Sequence, residues 1–274
     1  MHRGGPSPAL DFFPDAFHNV VYPEIFRGCI AVENQFSRSE LLFGPEAMER
    51  LSRAHVAVFG LGGVGGYAVE ALTRSGVGAL DLIDHDRFGI TNLNRQLHAT
   101  HRSLGEYKAD AAQARILDIN PQAKVRTYKV FCSPETAAQF DFTQYDYVVD
   151  AIDTVTGKLA LIQQAHDAGT PIISSMGAGN KLDPAALEVA DIYETSVCPL
   201  ARVMRRELKK RGIPALKVVY SREIPLTPRA DAAGEGAPEP SRKPVPGSTA
   251  FVPAAAGLIL ASVVVRSIAF PAGR

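Results

Sequence analysis

The chain has 274 residues, of which 46% are hydrophobic and 21% charged, the composition of an ordinary soluble globular protein with room for one large domain. Its 29 basic and 29 acidic residues balance, so no overall field attracts nucleic acid and any RNA contact requires a local basic patch. Three cysteines without a C-x-x-C pair exclude a disulfide framework and a four-cysteine zinc site, and favour the reducing cytoplasm.

The N-terminal segment, residues 1–35, is irregular, contains several prolines and lacks the continuous apolar stretch of a secretory signal. We expect an extension that packs loosely on the following domain, residues 36–274, or is partly disordered. Residues 39–54 then show a helical pattern that is interrupted at Gly44 and Pro45. Because proline is favoured at the first turn of a helix, a helix is predicted to restart there.

Alternating strand and helix patterns follow as far as residue 175. Short apolar runs predict strands, and longer runs that stop at glycine or proline predict helices. The predicted strands are residues 55–59, 79–83, 124–131, 147–152 and 171–175, and the predicted helices are residues 64–75, 108–120 and 157–168. This order predicts an α/β fold with a Rossmann-like, doubly wound, mainly parallel sheet that carries helices on both faces.

The C-terminal part has a different pattern. Strands over 187–193 and 217–220, separated by a basic helix over 199–210, predict an extension with antiparallel strands. Residues 226–248 combine many prolines and glycines with few apolar residues and predict a flexible loop. Residues 249–270 predict a final apolar helix. Its apolar stretch is shorter than the ~20 residues that a bilayer needs, so we expect a helix packed on the sheet and no membrane insertion.

A glycine-rich turn closes the first strand and opens the next helix. Its glycines are Gly60, Gly62, Gly63 and Gly65. Glycine lets the backbone approach phosphate oxygens, and the start of a helix offers free N–H groups and a positive dipole end. Asp84 ends the second strand, where an acid can bind a ribose, although a turn or cap role is the alternative. The turn predicts a nucleotide site.

A polar segment after the second strand narrows the type of nucleotide. It contributes Asp86, Asn92, Asn94, Arg95, Gln96 and Lys108. Two cations and several amides suit a triphosphate, which favours attack on the α-phosphate of ATP over hydride transfer. Asp153 lies just beyond the fourth predicted strand. We predict it as a Mg²⁺ ligand in preference to Asp150, which lies within that strand.

Together these motifs resemble the ThiF/MoeB branch of the ubiquitin-activating-enzyme superfamily over residues 36–193. The resemblance implies that Asp84 contacts the ribose, that Asn92, Arg95 and Lys108 contact the phosphates of ATP, and that Asp153 binds Mg²⁺. It also implies that Arg38 reaches the nucleotide of a partner subunit. The expected assembly is therefore a homodimer with composite sites.

Within this branch, the chain resembles the members that dehydrate threonylcarbamoyladenosine in tRNA. The motifs at residues 42–44, 91–99, 150–153, 177–179, 199–201 and 246–253 carry this likeness and extend it to residue 268. It implies an ATP-dependent enzyme that adenylates the substrate carboxylate, closes a ring, and releases AMP and pyrophosphate. A sulfur-relay protein is a further possible partner.

Other functions stay open at this point. Members that activate the Gly-Gly end of a ubiquitin-like sulfur carrier usually hold zinc through two C-x-x-C pairs, which this chain lacks. A nucleotide-dependent binding protein or a nicotinamide dehydrogenase would leave Arg95 and Asp153 without a task. Cys198, next to a proline, is either structural or an acceptor cysteine.

The predicted basic helix is a candidate RNA contact. Six cations lie within residues 202–211, namely Arg202, Arg205, Arg206, Lys209, Lys210 and Arg211. Such a run is either a solvated helix face or a surface that binds phosphates. Phosphate contacts would position an RNA without recognising its base sequence.

Overall fold

The computed structural model describes residues 34–229 and 246–271. Residues 1–33 of the predicted extension and residues 230–245 of the predicted loop lie outside the described residues. From residue 35 onward, the described residues belong to one structural unit.

A seven-stranded sheet forms the centre of the described fold, with the order β3-β2-β1-β4-β5-β7-β6. Its strands are β1 (His55–Phe59), β2 (Ala79–Ile83), β3 (Lys124–Tyr128), β4 (Tyr147–Asp150), β5 (Ile172–Ser175), β6 (Leu187–Asp191) and β7 (Lys217–Ser221). All neighbouring pairs are parallel except β6 and β7. The predicted mainly parallel sheet and its antiparallel C-terminal strands are confirmed. The strand order reverses beside β1, where open sheets of this type bind ligands.

Eight α-helices accompany the sheet in the described residues. They are α1 (Ser37–Phe43), α2 (Pro45–Arg53), α3 (Gly65–Arg74), α4 (Lys108–Ile119), α5 (Pro134–Ala137), α6 (Val155–Ala168), α7 (Pro199–Lys210) and α8 (Val252–Ala269). The predicted break falls at Gly44, whose φ of 79° is a value that glycine adopts without strain. Pro45 begins α2. The short α5 was not predicted, because four residues are too few for an apolar period.

Three predicted strands extend too far at their carboxyl ends, namely 124–131, 147–152 and 187–193, of which the last ends at Asp191 as β6. Instead of residue 131, β3 ends at Tyr128, and β4 ends at Asp150 instead of residue 152. The register explains the first difference, since Tyr128 pairs with Ile83, the last residue of β2. Beyond this point β3 has no neighbour. The apolar residues that follow therefore leave the sheet and face a cavity.

The final helix, α8, packs against α3, α2 and the strands β5 and β7. A Cβ atom on Gly257 would lie 2.2 Å from the carbonyl oxygen of Val64, so glycine is what allows α8 to approach α3 so closely. Among the described helices, α8 alone is long and apolar enough to cross a membrane, and 56% of it is buried in the fold. Its packing is that of a core helix, as predicted from its apolar pattern.

Candidate nucleotide-binding site

A cavity of about 580 Å³ lies at the carboxyl ends of the central strands. The glycine-rich turn after β1 forms its floor, while residues after β2, β4 and β5 form its sides. Pro253 of α8 covers the turn, since its Cβ would lie 3.3 Å from a Cβ on Gly63. The location is the one predicted for a ligand at the switch in strand order.

The turn itself requires glycine at two positions for steric reasons. Gly60 has a φ of 88°, and a Cβ there would lie 2.8 Å from the carbonyl oxygen of Ala151. A Cβ on Gly65 would lie 1.7 Å from the carbonyl oxygen of Gly60. Gly65 does not line the cavity; it closes the turn so that the N-terminus of α3 follows directly. A helix start in this position is suited to an anion.

Asp84 links the turn to the end of β2. It is 8% exposed and lines the cavity. One carboxylate oxygen accepts a hydrogen bond from the N–H of Leu61 at 2.7 Å, and the other accepts one from the N–H of Asp86 at 2.8 Å. Asp84 therefore stabilises the turn, which is the alternative role considered for it in the sequence. A carboxylate has about four acceptor sites, so these bonds leave room for a ribose as well.

Asp86 and Lys108 form an ion pair at the same wall of the cavity. The Nζ of Lys108 lies 2.7 Å from Oδ2 of Asp86. The lysine side chain is 7% exposed and the aspartate side chain 49%. An ammonium group has three donors, so Lys108 can bind a phosphate while it keeps this partner.

The polar loop after β2 presents Arg95 and Gln96 to the cavity. Arg95 donates from Nη1 to the carbonyl oxygen of Thr91 and to Oδ1 of Asn94, both at 2.9 Å. Asn92 accepts from the N–H of Gly89 at 3.0 Å, which stabilises the loop. Gln96 is 7% exposed, and its Oε1 is buried without a partner in the described part of the chain. An orphaned buried oxygen of this kind needs a partner from outside the fold.

The two aspartates near the end of β4 lie in opposite environments. Asp150 is fully buried, with Lys158 Nζ at 3.1 Å from both oxygens and the Oγ of Ser174 donating at 2.6 Å. Asp153 is exposed, lines the cavity, and makes no hydrogen bond or ion pair with the described residues. Asp153 is therefore the carboxylate available to a ligand.

The donor set at Asp153 fits Mg²⁺. This ion is usually held by one or two carboxylates, and phosphate oxygens and water fill its other positions. A second group of possible metal ligands, Asp84, His85 and Asp86, has ligand atoms within 4.8 Å of one another. Two of these three are already held by backbone N–H groups and by Lys108, so Asp153 fits the ion better.

Comparison with known proteins gives the family. Residues 36–269 match the ThiF family. The chain belongs to this family. It is 45% identical over 240 residues to the tRNA threonylcarbamoyladenosine dehydratase of Bacillus subtilis, an alignment that covers 86% of this chain and 94% of the relative. More distant is the sulfur carrier protein adenylyltransferase of Thermus thermophilus, 38% identical over 130 residues, or 47% of this chain and 48% of the relative.

Solved structures agree with this assignment. The Escherichia coli tRNA N6-threonylcarbamoyladenosine dehydratase in complex with ATP superimposes with a TM-score of 0.76 at 33% identity. The match covers 85% of this chain and 93% of the other. The same enzyme in complex with AMP gives a TM-score of 0.77. The Rossmann-like fold of this ThiF-family chain is thereby confirmed.

Arg38 is a predicted site residue that lies far from the cavity of its own subunit. It is exposed on α1 and does not line the cavity. Phe36, beside α1, lies near Gly76, at the opposite end of α3 from the glycine-rich turn. Within one subunit Arg38 cannot reach a nucleotide bound at that turn. The contact with a nucleotide that was predicted for Arg38 therefore requires a second copy of the chain.

The cations of α7 are only partly available. Arg205 donates to the carbonyl oxygen of Thr195 at 2.7 Å. Glu207 pairs with three neighbours, Arg206, Lys210 and Arg211. Hydrogen bonds from Lys210 and then Arg211 are the main reason that the pKa of Glu207 falls to about 2. Arg202 and Lys209 are exposed and have no partner among the described side chains.

Sequence reasoning missed part of the cavity wall beyond β5. Asn180, with a φ of 60°, joins two distant segments there. Its Oδ1 accepts from the N–H of Gly247 at 2.6 Å, its own N–H donates to the carbonyl oxygen of Gly247 at 2.8 Å, and its carbonyl accepts from Leu226 at 2.8 Å. An asparagine tolerates this left-handed conformation, but the sequence contains no signal for the long-range partners.

Two cysteines in the cavity wall have no sign of reactivity. Cys132 is 8% exposed, and burial, followed by the charge of Asp150, raises the pKa of its thiol to about 12. It is therefore a neutral thiol at physiological pH. Cys198 is 1% exposed at the start of α7, which agrees with the structural role that we considered for it.

We predict that Gly65→Ala destabilises the fold by about 2 kcal/mol or more, because the new methyl group overlaps the carbonyl oxygen of Gly60 and the turn must move. The measurement is urea unfolding. Gly62→Ala is the matched control, since a Cβ there meets only the Nε2 of Gln96, at 3.8 Å. Equal stability of the two variants would contradict the proposed turn geometry.

A second prediction concerns His98, which lies beneath the turn near Gly66. Burial lowers its pKa to about 4 from the ordinary value of 6.5. Between these two pH values the unfolded chain binds a proton that the folded chain does not, so stability falls as the pH falls. The loss amounts to about 3 kcal/mol at 1.36 kcal/mol per pKa unit.

To test this, the free energy of unfolding is measured at a series of pH values from about 7 to about 4, the range set by the two pKa values. His98→Leu should remove this part of the pH dependence, while His101→Leu, at an exposed position, should keep it. If His98→Leu loses as much stability as the wild type on acidification, the histidine is not buried in its neutral form.

Proposed function

We propose that this chain catalyses the ATP-dependent dehydration of threonylcarbamoyladenosine next to the anticodon of tRNA. The observation that carries the proposal is its likeness, across nearly the whole of both chains, to the Bacillus subtilis enzyme of that name. The cavity supports it. A phosphate-binding turn, two cations and a free carboxylate surround one space, as adenylation requires.

The reaction has two steps. The free carboxylate of the threonyl group attacks the α-phosphorus of ATP, which forms an acyl-adenylate and releases pyrophosphate. A nucleophile within the same modification then attacks the acyl carbon and expels AMP, so the net change in the nucleoside is the loss of one water. Because the second step is intramolecular, proximity supplies a high effective concentration. It needs neither an acceptor cysteine nor the possible sulfur-relay partner.

The residues around the cavity have distinct roles in this proposal. The turn from Gly60 to Gly65 and the start of α3 bind phosphate oxygens. Arg95 and Lys108 offset the charge at the transferring phosphorus. Asp153 would hold Mg²⁺, which supplies further neutralisation of the phosphates when bound. Asp84 binds the ribose with the acceptor sites that its backbone contacts leave open.

We place the enzyme in the cytoplasm as a homodimer with composite sites. The surface of α1 supports the dimer, because Leu41 is 77% exposed and Leu42 82% exposed, and no residue of α1 is buried. Neighbouring exposed leucines on one helix suit a protein interface. Arg38 lies on the same helix, so contact through α1 would carry it towards the partner's nucleotide. The core packing of α8 supports the absence of membrane insertion.

The first turn of α7 supports a path for the tRNA. Pro199 and Leu200 line the cavity, and the unpaired cations Arg202 and Lys209 follow at positions i and i+7 of one helix face. This row begins about 5 Å along the helix axis from the cavity. It would bind backbone phosphates while the modified adenosine enters the cavity. Arg205, which is held by Thr195, and Arg206 and Lys210, which are held by Glu207, contribute less.

The second candidate is adenylation of the Gly-Gly end of a ubiquitin-like carrier, which the Thermus thermophilus relative favours. Its chemistry at phosphorus would be the same. The missing C-x-x-C pairs weigh against it. This candidate requires pyrophosphate exchange driven by a small protein instead of tRNA.

The decisive test combines purified protein, MgATP and tRNA that carries threonylcarbamoyladenosine, with mass spectrometry of the nucleosides. Loss of one water together with AMP release is the expected result. Arg95→Ala and Asp153→Ala should abolish AMP formation without unfolding the chain, whereas Cys198→Ala should keep most activity. An unchanged nucleoside with the wild type would refute the proposal and make carrier proteins the next substrates to assay.

Composite sites can be tested by mixing two inactive subunits. Arg38→Ala and Asp153→Ala are each expected to abolish activity alone. When the two variants are co-expressed, about half of the dimers contain one subunit of each kind. Each mixed dimer has one intact site out of two, so about a quarter of all sites should be active. No recovery in the mixed dimers would refute the composite site, and full activity of Arg38→Ala alone would show that Arg38 has no role in the reaction.

A further inference from the structure

Lys181 is a buried cation in the cavity wall that has no anionic partner among the residues that the structure describes. It is 2% exposed and lines the cavity beyond β5. Its Nζ lies 3.5 Å from the carbonyl oxygen of Glu223, which is beyond the usual range of a hydrogen bond. The carboxylate of Glu223 instead accepts from the backbone N–H groups of Leu182 and Asp183, at 2.9 Å each.

The other buried lysines of the described chain do have counterions. Lys158, which is fully buried, lies 3.1 Å from both oxygens of Asp150. Lys108 lies 2.7 Å from Asp86. No ion pair engages Lys181 within the ranges that the structure covers. Burying an ammonium group without a counterion is unfavourable, so an anion that enters the cavity would complete this site.

The position of Lys181 indicates which anion this is. The groups assigned to ATP follow β2, β1 and β4, namely Asp84, the glycine-rich turn and Asp153. Lys181 follows β5, which lies two strands from β1, or about 10 Å across the sheet. The nucleotide therefore occupies the cavity from β2 to β4. A substrate that attacks the α-phosphorus can then approach from the β5 side of the cavity.

We propose that Lys181 binds the carboxylate of the substrate and holds it beside the α-phosphate before adenylation. This inference rests on the proposed function. The carboxylate loses its negative charge when it becomes an acyl-adenylate, so the ion pair stabilises the bound substrate more than the product of the first step. Lys181 is thus a substrate-binding residue that selects tRNA whose modification ends in a free carboxylate.

The test compares Lys181→Met, which keeps the length of the side chain but removes its charge, with Lys181→Arg, which keeps a cation. Lys181→Met should raise the KM for the modified tRNA about 10- to 100-fold, the range expected for a charged hydrogen bond. Its KM for ATP should change less than about 2-fold, because Lys181 lies away from the groups assigned to ATP and only the binding of the tRNA substrate is weakened. Lys181→Arg should restore part of the affinity for the modified tRNA.

Two controls isolate the carboxylate. Transcribed tRNA without the modification should inhibit the wild type and Lys181→Met equally, because it has no carboxylate to lose. Lys124→Met, at an exposed lysine at the start of β3, should match the wild type in every constant. Thermal unfolding of Lys181→Met should occur at or above the wild-type temperature, because no ion pair is broken.

The outcomes separate this inference from the proposed function. An unchanged KM for the modified tRNA in Lys181→Met overturns the inference while the wild type still dehydrates its substrate. A rise in the KM for ATP alone also overturns it, and would place Lys181 at the phosphates. A wild type that leaves the nucleoside unchanged overturns the function and the inference together.

Discussion

The candidate site depends on one close contact, the approach of the start of α3 to the end of β1. Gly65 lies against the carbonyl oxygen of Gly60, and Gly60 lies against the backbone of Ala151. At these two positions the turn is packed between its own helix and the end of β4, with no space for a side chain. The hydrogen bond from the N–H of Leu61 to the carboxylate of Asp84 then connects the turn to the end of β2. Backbone N–H groups are fixed in this way without help from a ligand, which lowers the entropy cost of binding one.

The buried charges show how the fold separates structural groups from available ones. Asp150 bonds to Lys158 on α6 and to Ser174 on β5, so one network joins three neighbouring elements. Removing one partner of such a pair would leave an uncompensated charge, at a cost of about 3–5 kcal/mol. Asp153, only three residues later, has left the strand and bonds to none of the described residues. The two carboxylates therefore serve different purposes, although they lie only three positions apart in the sequence.

The local pattern of the sequence was enough to predict the fold and many of the residues that line the candidate cavity. Apolar runs between helical segments predicted the parallel sheet, and the glycines predicted the phosphate turn, because both signals depend on neighbours in the chain. The carboxyl ends of β3 and β4 were predicted too long, since a strand ends where its neighbour turns away. Lys181 was missed because its isolation depends on Glu223 bonding elsewhere, 41 and 40 residues away along the chain. Asn180 was missed for the same reason, since Gly247 is 67 residues away.

Adenylation requires charges that a substrate can reach, and this requirement explains the uneven pairing around the cavity. Charges that hold the fold together, such as Asp150 and Lys158, have several partners and no exposure. Lys108 has a single ionic partner, Asp86, which is half exposed and can share the lysine with a phosphate. Arg95 is held only by neutral oxygens of its own loop, so its charge is not compensated before a nucleotide binds. Asp153 and Lys181 have no charged partner in the described structure. The charged groups around the cavity therefore divide into those that the protein satisfies and those that ATP, its metal ion and the carboxylate of the substrate would satisfy.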